Sequence, residues 1–253
     1  FSPNNANEDL RDLSNPGVND DLRDPGIHAN DVIQGNEPNC YFVGIMRLLA
    51  NADPSGIQRL FRENSNGSIS VALYENTSGQ FEWKWITYAA NDLLSLGYRV
   101  PLSTDITDGK FEIWPELLYR RFIDSSYFAA VDNAGSINSW LALTGVTGTV
   151  IDLFGKTDDE IMGIFSANSS SLMQIGTKTV FDANAVTFNV NANQIVHANH
   201  AYLVEAVEVG AVELKNPWGY DHLSPLNKEF FDDVLSQVFV FDHDTGIGPP
   251  PPQ

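Results

Sequence analysis

Cys40 is the only cysteine in 253 residues, so no disulfide can form within the chain and the redox compartment is left open. Basic side chains are scarce as well, 14 Lys and Arg against 33 Asp and Glu, and the formal charge of −19 repels phosphate backbones and anionic lipid. Nucleic acid and membrane surfaces are therefore poor partners, and neutral or cationic substrates are favoured. Also missing is any run of roughly 18 to 20 apolar residues, the length a spanning helix needs, and the N-terminus lacks a basic-then-apolar signal pattern. The chain is expected to be soluble, without membrane insertion, its export signal removed or never present. Sparse lysine with abundant Asn, Asp, Ser and Gly suits an exported protein.

What is present is globular: 43% apolar and 19% charged residues, enough to bury a sizeable core. Residues 1–30 carry the string Asp-Leu-Arg-Asp twice among Asn, Pro and Gly and read as an irregular acidic leader without a recognisable cation-binding spacing. Residues 40–50 are nearly all apolar and stop before Asp53-Pro54, the pattern of a central helix buried on most sides. Residues 69–74 and 81–88 flank a Thr77-Ser78-Gly79 turn and predict a hairpin. Helices are expected at 112–124 and 136–143, and Thr157-Asp158-Asp159-Glu160 is a capping box that opens another.

Beyond residue 169 the pattern turns to strands, at 172–175, 185–190, 201–207, 211–215 and 238–241. The expectation is α+β architecture: a helix-rich lobe over 31–168, a β-rich lobe over 169–242 and a cleft between them. Residues 243–253, with four consecutive prolines, predict an extended tail or linker to further domains.

A lone cysteine is ordinarily a small buried hydrophobe. Position makes Cys40 a candidate nucleophile: it follows the polar loop Gln34-Gly35-Asn36-Glu37-Pro38-Asn39 and opens the apolar helix. Its sulfur then sits at a helix N-terminus, where unpaired N–H groups and the macrodipole favour thiolate. Among five histidines His200 opens an apolar strand, in His200-Ala201-Tyr202-Leu203-Val204, and a strand end is a rigid mount for a base. His28, His197, His222 and His243 lie in polar or irregular surroundings and read as surface residues. His197 and His200 are three apart, but no helix or further ligand supports a metal site. Asn216-Pro217-Trp218-Gly219 closes the strand that returns from the 208–210 turn, which brings Asn216 back beside His200. Its side-chain oxygen can accept the imidazole N–H and fix the tautomer, and Trp218 can shield that bond. Taken alone the same string is also an ordinary turn.

As an ordered set, Gln34-Gly35 with Cys40, His200-Ala201-Tyr202 and Asn216-Pro217-Trp218-Gly219 resemble the signature blocks of the calpain family of cysteine proteases. Trp114-Pro115-Glu116-Leu117-Leu118, Leu143-Thr144-Gly145-Val146-Thr147 and Phe230-Phe231-Asp232-Asp233-Val234-Leu235 are similar to secondary blocks, so the resemblance covers about residues 31–242. It implies a papain-like fold with Cys40 in one lobe and His200 and Asn216 in the other. By the same resemblance Cys40 is the nucleophile, His200 the base and Asn216 its orienting group, Gln34 and the Cys40 N–H form the oxyanion hole, and Trp218 shields the His–Asn pair. The implied activity is endopeptidase cleavage of extended protein or peptide substrates through an acyl-enzyme.

Family cores commonly use Ca2+ to align their lobes, but the matching motifs do not include calcium loops, and the thiol chemistry itself requires no cofactor. Where relatives usually carry Gly-Asp before the cysteine and Trp after it, this chain has Pro38-Asn39 and Tyr41. These departures touch the approach to the oxyanion site rather than a catalytic group. The compact interval between His200 and Asn216 points to a divergent branch, such as a microbial one. Two alternatives stay open: a catalytically silent binding module that keeps the cleft, and another Cys-His hydrolase or acyltransferase of transglutaminase-like type.

Overall fold

The structure is a computed structural model that describes residues 29, 32, 39–66, 68–77, 79–89, 114–125, 135–179, 187–191, 194–218 and 225–242. The first element is helix α1 (Cys40–Ala52), in which Phe42, Val43, Gly44, Ile45, Met46, Leu48, Leu49 and Ala50 are all buried. A helix apolar on nearly every side has to run through a core rather than along a surface. It ends where the Asp53 N–H donates to Leu49 O at 2.7 Å. Asp53 then caps the short α2 (Pro54–Arg59), its carboxylate accepting the Gly56 N–H at 2.8 Å with proline at the first helical position.

Three strands follow, β1 (Phe61–Glu63), β2 (Ile69–Thr77) and β3 (Gln80–Tyr88), joined as an antiparallel sheet in that order. The β2–β3 hairpin lies where the sequence predicts it, with longer strands. Helices α3 (Trp114–Ile123) and α4 (Gly135–Thr144) also match their predicted positions. Residues 112–113 lie outside the described residues.

The second sheet has six strands in the order β10-β9-β8-β5-β11-β4. These are β4 (Thr149–Asp152), β5 (Leu172–Thr177), β8 (Ala201–Glu208), β9 (Ala211–Lys215), β10 (Leu226–Asn227) and β11 (Leu235–Phe241), every neighbouring pair antiparallel. A separate pair, β6 (Thr187–Asn191) with β7 (Gln194–His197), covers part of the predicted 185–190 strand; residues 185–186 lie outside the described residues.

Alternation along the six-stranded sheet divides the interior into two cores. Leu203, Phe239 and Phe241 point into the core built by α1, α3, α4 and β2. Their neighbours Tyr202, Val204 and Val238 point to the opposite face, where Ile161 and Phe165 of α5 (Asp158–Ala167) and Phe231 and Val234 of α6 (Phe231–Val234) cover them. A strand's period of two allows a single β8 to carry both faces. Each large aliphatic or aromatic side chain buried in this way contributes roughly 1.5–3 kcal/mol.

One expectation needs correction. Residues 149–168, expected within the helix-rich lobe, build on the second core instead: β4 pairs with β11, and Ile161 and Phe165 of α5 lie on the second sheet's outer face. The reason is non-local, since β4 is too short to announce itself and its partner is nearly ninety residues downstream. The acidic-aromatic stretch is entered by a 3₁₀ turn (Lys228–Phe230) and continues as the four-residue α6.

One close approach joins the two cores. Gln174 of β5 is fully buried and donates from Nε2 to the Tyr41 carbonyl of α1 at 3.2 Å. A Cβ on Gly44 would overlap that same amide nitrogen. Gly44→Ala is therefore expected to destabilise the protein while Gln174 is present. In a Gln174→Ala background the same change is expected to stabilise, by about 0.5–1 kcal/mol, because the collision is gone and only the helical preference for alanine remains. Urea denaturation of the two singles and the double checks this reversal of sign.

Candidate active site

At the start of α1, the Phe42 and Val43 N–H groups both donate to Asn39 O, at 2.9 and 3.0 Å, and no side chain caps the helix. That leaves the first-turn amides around Cys40 free to face the sulfur. The Cys40 side chain is half-buried. Burial pushes its thiol above the ordinary value; the backbone amides of Ala201, Tyr41 and Cys40 itself pull the other way without reversing the shift. The helix-terminus effect expected from the sequence thus has the right sign but is outweighed by desolvation. Ala201 immediately follows His200, so the same contact puts the sulfur beside the strand end that carries the histidine.

His200 is 8% exposed and precedes β8, and the β8–β9 hairpin returns Lys215 opposite Leu203. Asn216, one residue further, is fully buried, and its Oδ1 lies 3.1 Å from His200 Nε2. The Trp218 N–H donates to the same oxygen at 3.1 Å, which fixes the amide's orientation. An amide oxygen only accepts, so Nε2 carries the proton and the neutral ring keeps its lone pair on Nδ1.

Aromatic groups wall the imidazole. The Trp218 ring centroid is 4.8 Å away, tilted 45°, and Tyr202 stands edge-on at 4.8 Å and 87°. His197, expected on the surface, is half-buried with its ring 4.4 Å from Trp218 and 6.0 Å from His200. A turn, not a helix, folds it back, and no single-sequence signal marks that. His28, His222 and His243 lie outside the described residues, as does Gln34, expected at the oxyanion position. Tyr41, which stands where relatives usually have Trp, is half-buried near Phe122, its ring centroid 6.3 Å away.

The His200 ring is held well below its ordinary 6.5, at about 4, by burial first and by the neighbouring His197, with the Asn216 bond opposing. Both shifts favour the uncharged forms of the resting pair, thiol and imidazole. The shift also makes stability pH-dependent. Unfolding returns the ring to 6.5, so the unfolded chain takes up a proton before the folded one does. His200 therefore removes stability as pH falls from about 6.5 toward 4, by about 3 kcal/mol across the window, and has no such effect above it. Urea denaturation at pH 7 and pH 4 should show wild type losing about that much more than His200→Gln.

Among the described residues no three His, Cys, Asp or Glu side chains converge on a point that could hold a metal ion.

The family model described as calpain family cysteine protease matches residues 12–225. The chain belongs to this family. The match contains Cys40, His200, Asn216 and Trp218, and it begins within the stretch expected to be a leader, so residues 12–30 are part of the calpain-family region. A comparison with curated proteins gave no match. No helix among the described residues of this calpain-family chain is long and apolar enough to cross a membrane.

Proposed function

We propose that this calpain-family chain is an active cysteine endopeptidase with a papain-like, two-lobed arrangement, in which Cys40 is the nucleophile, His200 the base and Asn216 the group that orients it. The observation that carries the reading is the buried His200 Nε2 to Asn216 Oδ1 bond under Trp218, with the Cys40 sulfur against the amide of Ala201. Holding Nε2 in this way reserves the Nδ1 lone pair for a proton from the thiol.

The chemistry starts from the uncharged pair. Sulfur attacks a peptide carbonyl as its proton passes to His200, giving a tetrahedral oxyanion and an imidazolium. The Cys40 N–H at the helix start and the Gln34 side chain would hold the oxyanion, a role in which losing one donor typically costs about 3–4 kcal/mol. His200 returns the proton to the departing amine, leaving a thioester on Cys40. A water molecule, deprotonated by His200, then cleaves the thioester and restores the thiol. An extended peptide is the substrate that a cleft of this kind accepts.

Iodoacetamide or a peptidyl epoxide tests the reading: it should label Cys40 and stop cleavage of an unfolded protein. A silent binding module would bind peptide without cutting it, and an acyltransferase would incorporate an added amine into the substrate; either result replaces the endopeptidase reading.

A further inference from the structure

The turn that carries His200 is held by a residue outside the constellation just described. Thr177, the last residue of β5, is 5% exposed. Its hydroxyl accepts the His200 backbone N–H at 2.9 Å and lies 2.8 Å from His197 O and 3.1 Å from His200 O, to either of which its own proton can go. The Thr177 N–H donates to His200 O at 2.9 Å, and the next carbonyl, Lys178 O, accepts the Asn199 N–H at 3.0 Å. Both ends of the turn His197-Ala198-Asn199-His200 are thus tied to the end of β5.

The turn needs such a tie. Asn199 has φ 51°, the only left-handed non-glycine residue among those described, a conformation that persists where surrounding bonds over-determine it. The His200 N–H, buried at the start of β8, has the Thr177 hydroxyl as its acceptor. Asn216 fixes the far side of the ring at Nε2; Thr177 fixes the near side, where the ring joins the backbone.

We propose that Thr177 is a positioning residue that acts through His200, setting where the imidazole Nδ1 points. The proposal rests on the catalytic reading above. A hydroxyl is the required group, because it accepts one bond while donating another; valine has the same shape and can do neither. A misplacement of about 1 Å in a reacting group costs on the order of 10²-fold in rate.

The test compares Thr177→Val with Thr177→Ser in peptide cleavage by the full chain. Thr177→Val is expected to lower kcat about 10- to 100-fold with KM changed less than about twofold, and Thr177→Ser to stay within about threefold of wild type. If Thr177→Val fails to fold, Thr177→Ala replaces it in the same comparison. The proposal is overturned if a folded hydroxyl-free variant keeps kcat within about threefold of wild type, or if serine loses as much as valine. If wild type cleaves nothing and Cys40 does not react with a peptidyl epoxide, the protease reading fails by itself. The clamp is then judged by the His200 imidazole resonances, which should be unchanged in Thr177→Ser and displaced in the hydroxyl-free variant; identical spectra for all three reject it.

Discussion

Cleavage of an unfolded protein by Cys40→Ala is expected to fall by about 10⁶-fold in kcat, the scale of loss when a triad nucleophile is removed elsewhere. The fold should survive, because the Cys40 side chain is half-buried at a helix start and the change removes only one atom. His200→Ala is expected to lose a similar amount, and the double variant hardly more than either single. The reason is mechanistic: nucleophile and base act in one step, so removing the second partner takes away something already idle. Single-turnover kinetics on the two singles and the double measures this directly. Losses that multiply would mean that Cys40 and His200 work in separate steps.

The largest expected change in stability lies far from the site. Arg121 of α3 and Glu75 of β2 form an ion pair inside the first core, both side chains nearly without exposure, and Arg121 also donates to Lys84 O at 3.0 Å. Within the described residues its Nε and Nη1 have no hydrogen-bond partner; Glu75 is the carboxylate paired directly with it, and Asp124 also favours its charged form. Glu75→Ala leaves a buried guanidinium without its paired carboxylate and is expected to cost about 3–5 kcal/mol. In a chain of this size that lowers Tm by roughly 10 °C. Adding Arg121→Met should recover most of the loss, since replacing both members of a buried pair with apolar groups is often neutral. Thermal and urea denaturation of the single and double variants checks both steps. A Glu75→Ala protein as stable as wild type would mean that water reaches the guanidinium.

The parts of this molecule legible in the sequence are those written in neighbouring residues. The apolar run after Cys40 specifies α1, and Thr157 with Glu160 specifies the start of α5, where both reciprocal capping bonds form. The interval from His200 to Asn216 gives the hairpin that joins them, because a tight β8–β9 turn at Gly210, with φ 78°, pairs Glu208 with Ala211 and brings Lys215 back opposite Leu203. The juxtaposition of Cys40 with the strand end at Ala201 follows from order and resemblance rather than from any local pattern.

What escaped the sequence depends on partners far along the chain. β4 exists because β11 offers it an edge. His197 reads as polar surface until the Asn199 turn folds it against Trp218. Gln174 looks like an outward-facing strand residue, yet it is buried against Gly44 and bonded to Tyr41 O. The charge state of the site was also beyond sequence reading. Helix position argues for a thiolate, and only the packed surroundings show that desolvation of Cys40 and His200 prevails.

The account turns on the Cys40 sulfur being activated by the His200 ring, and covalent labelling by a peptidyl epoxide followed by peptide mapping tests this most directly. The expected result is one adduct per chain, on Cys40, formed much faster in the folded protein than in urea and slowed to the unfolded rate by His200→Ala. Cleavage that continues while Cys40 stays unmodified, or labelling as fast in His200→Ala as in wild type, would contradict it.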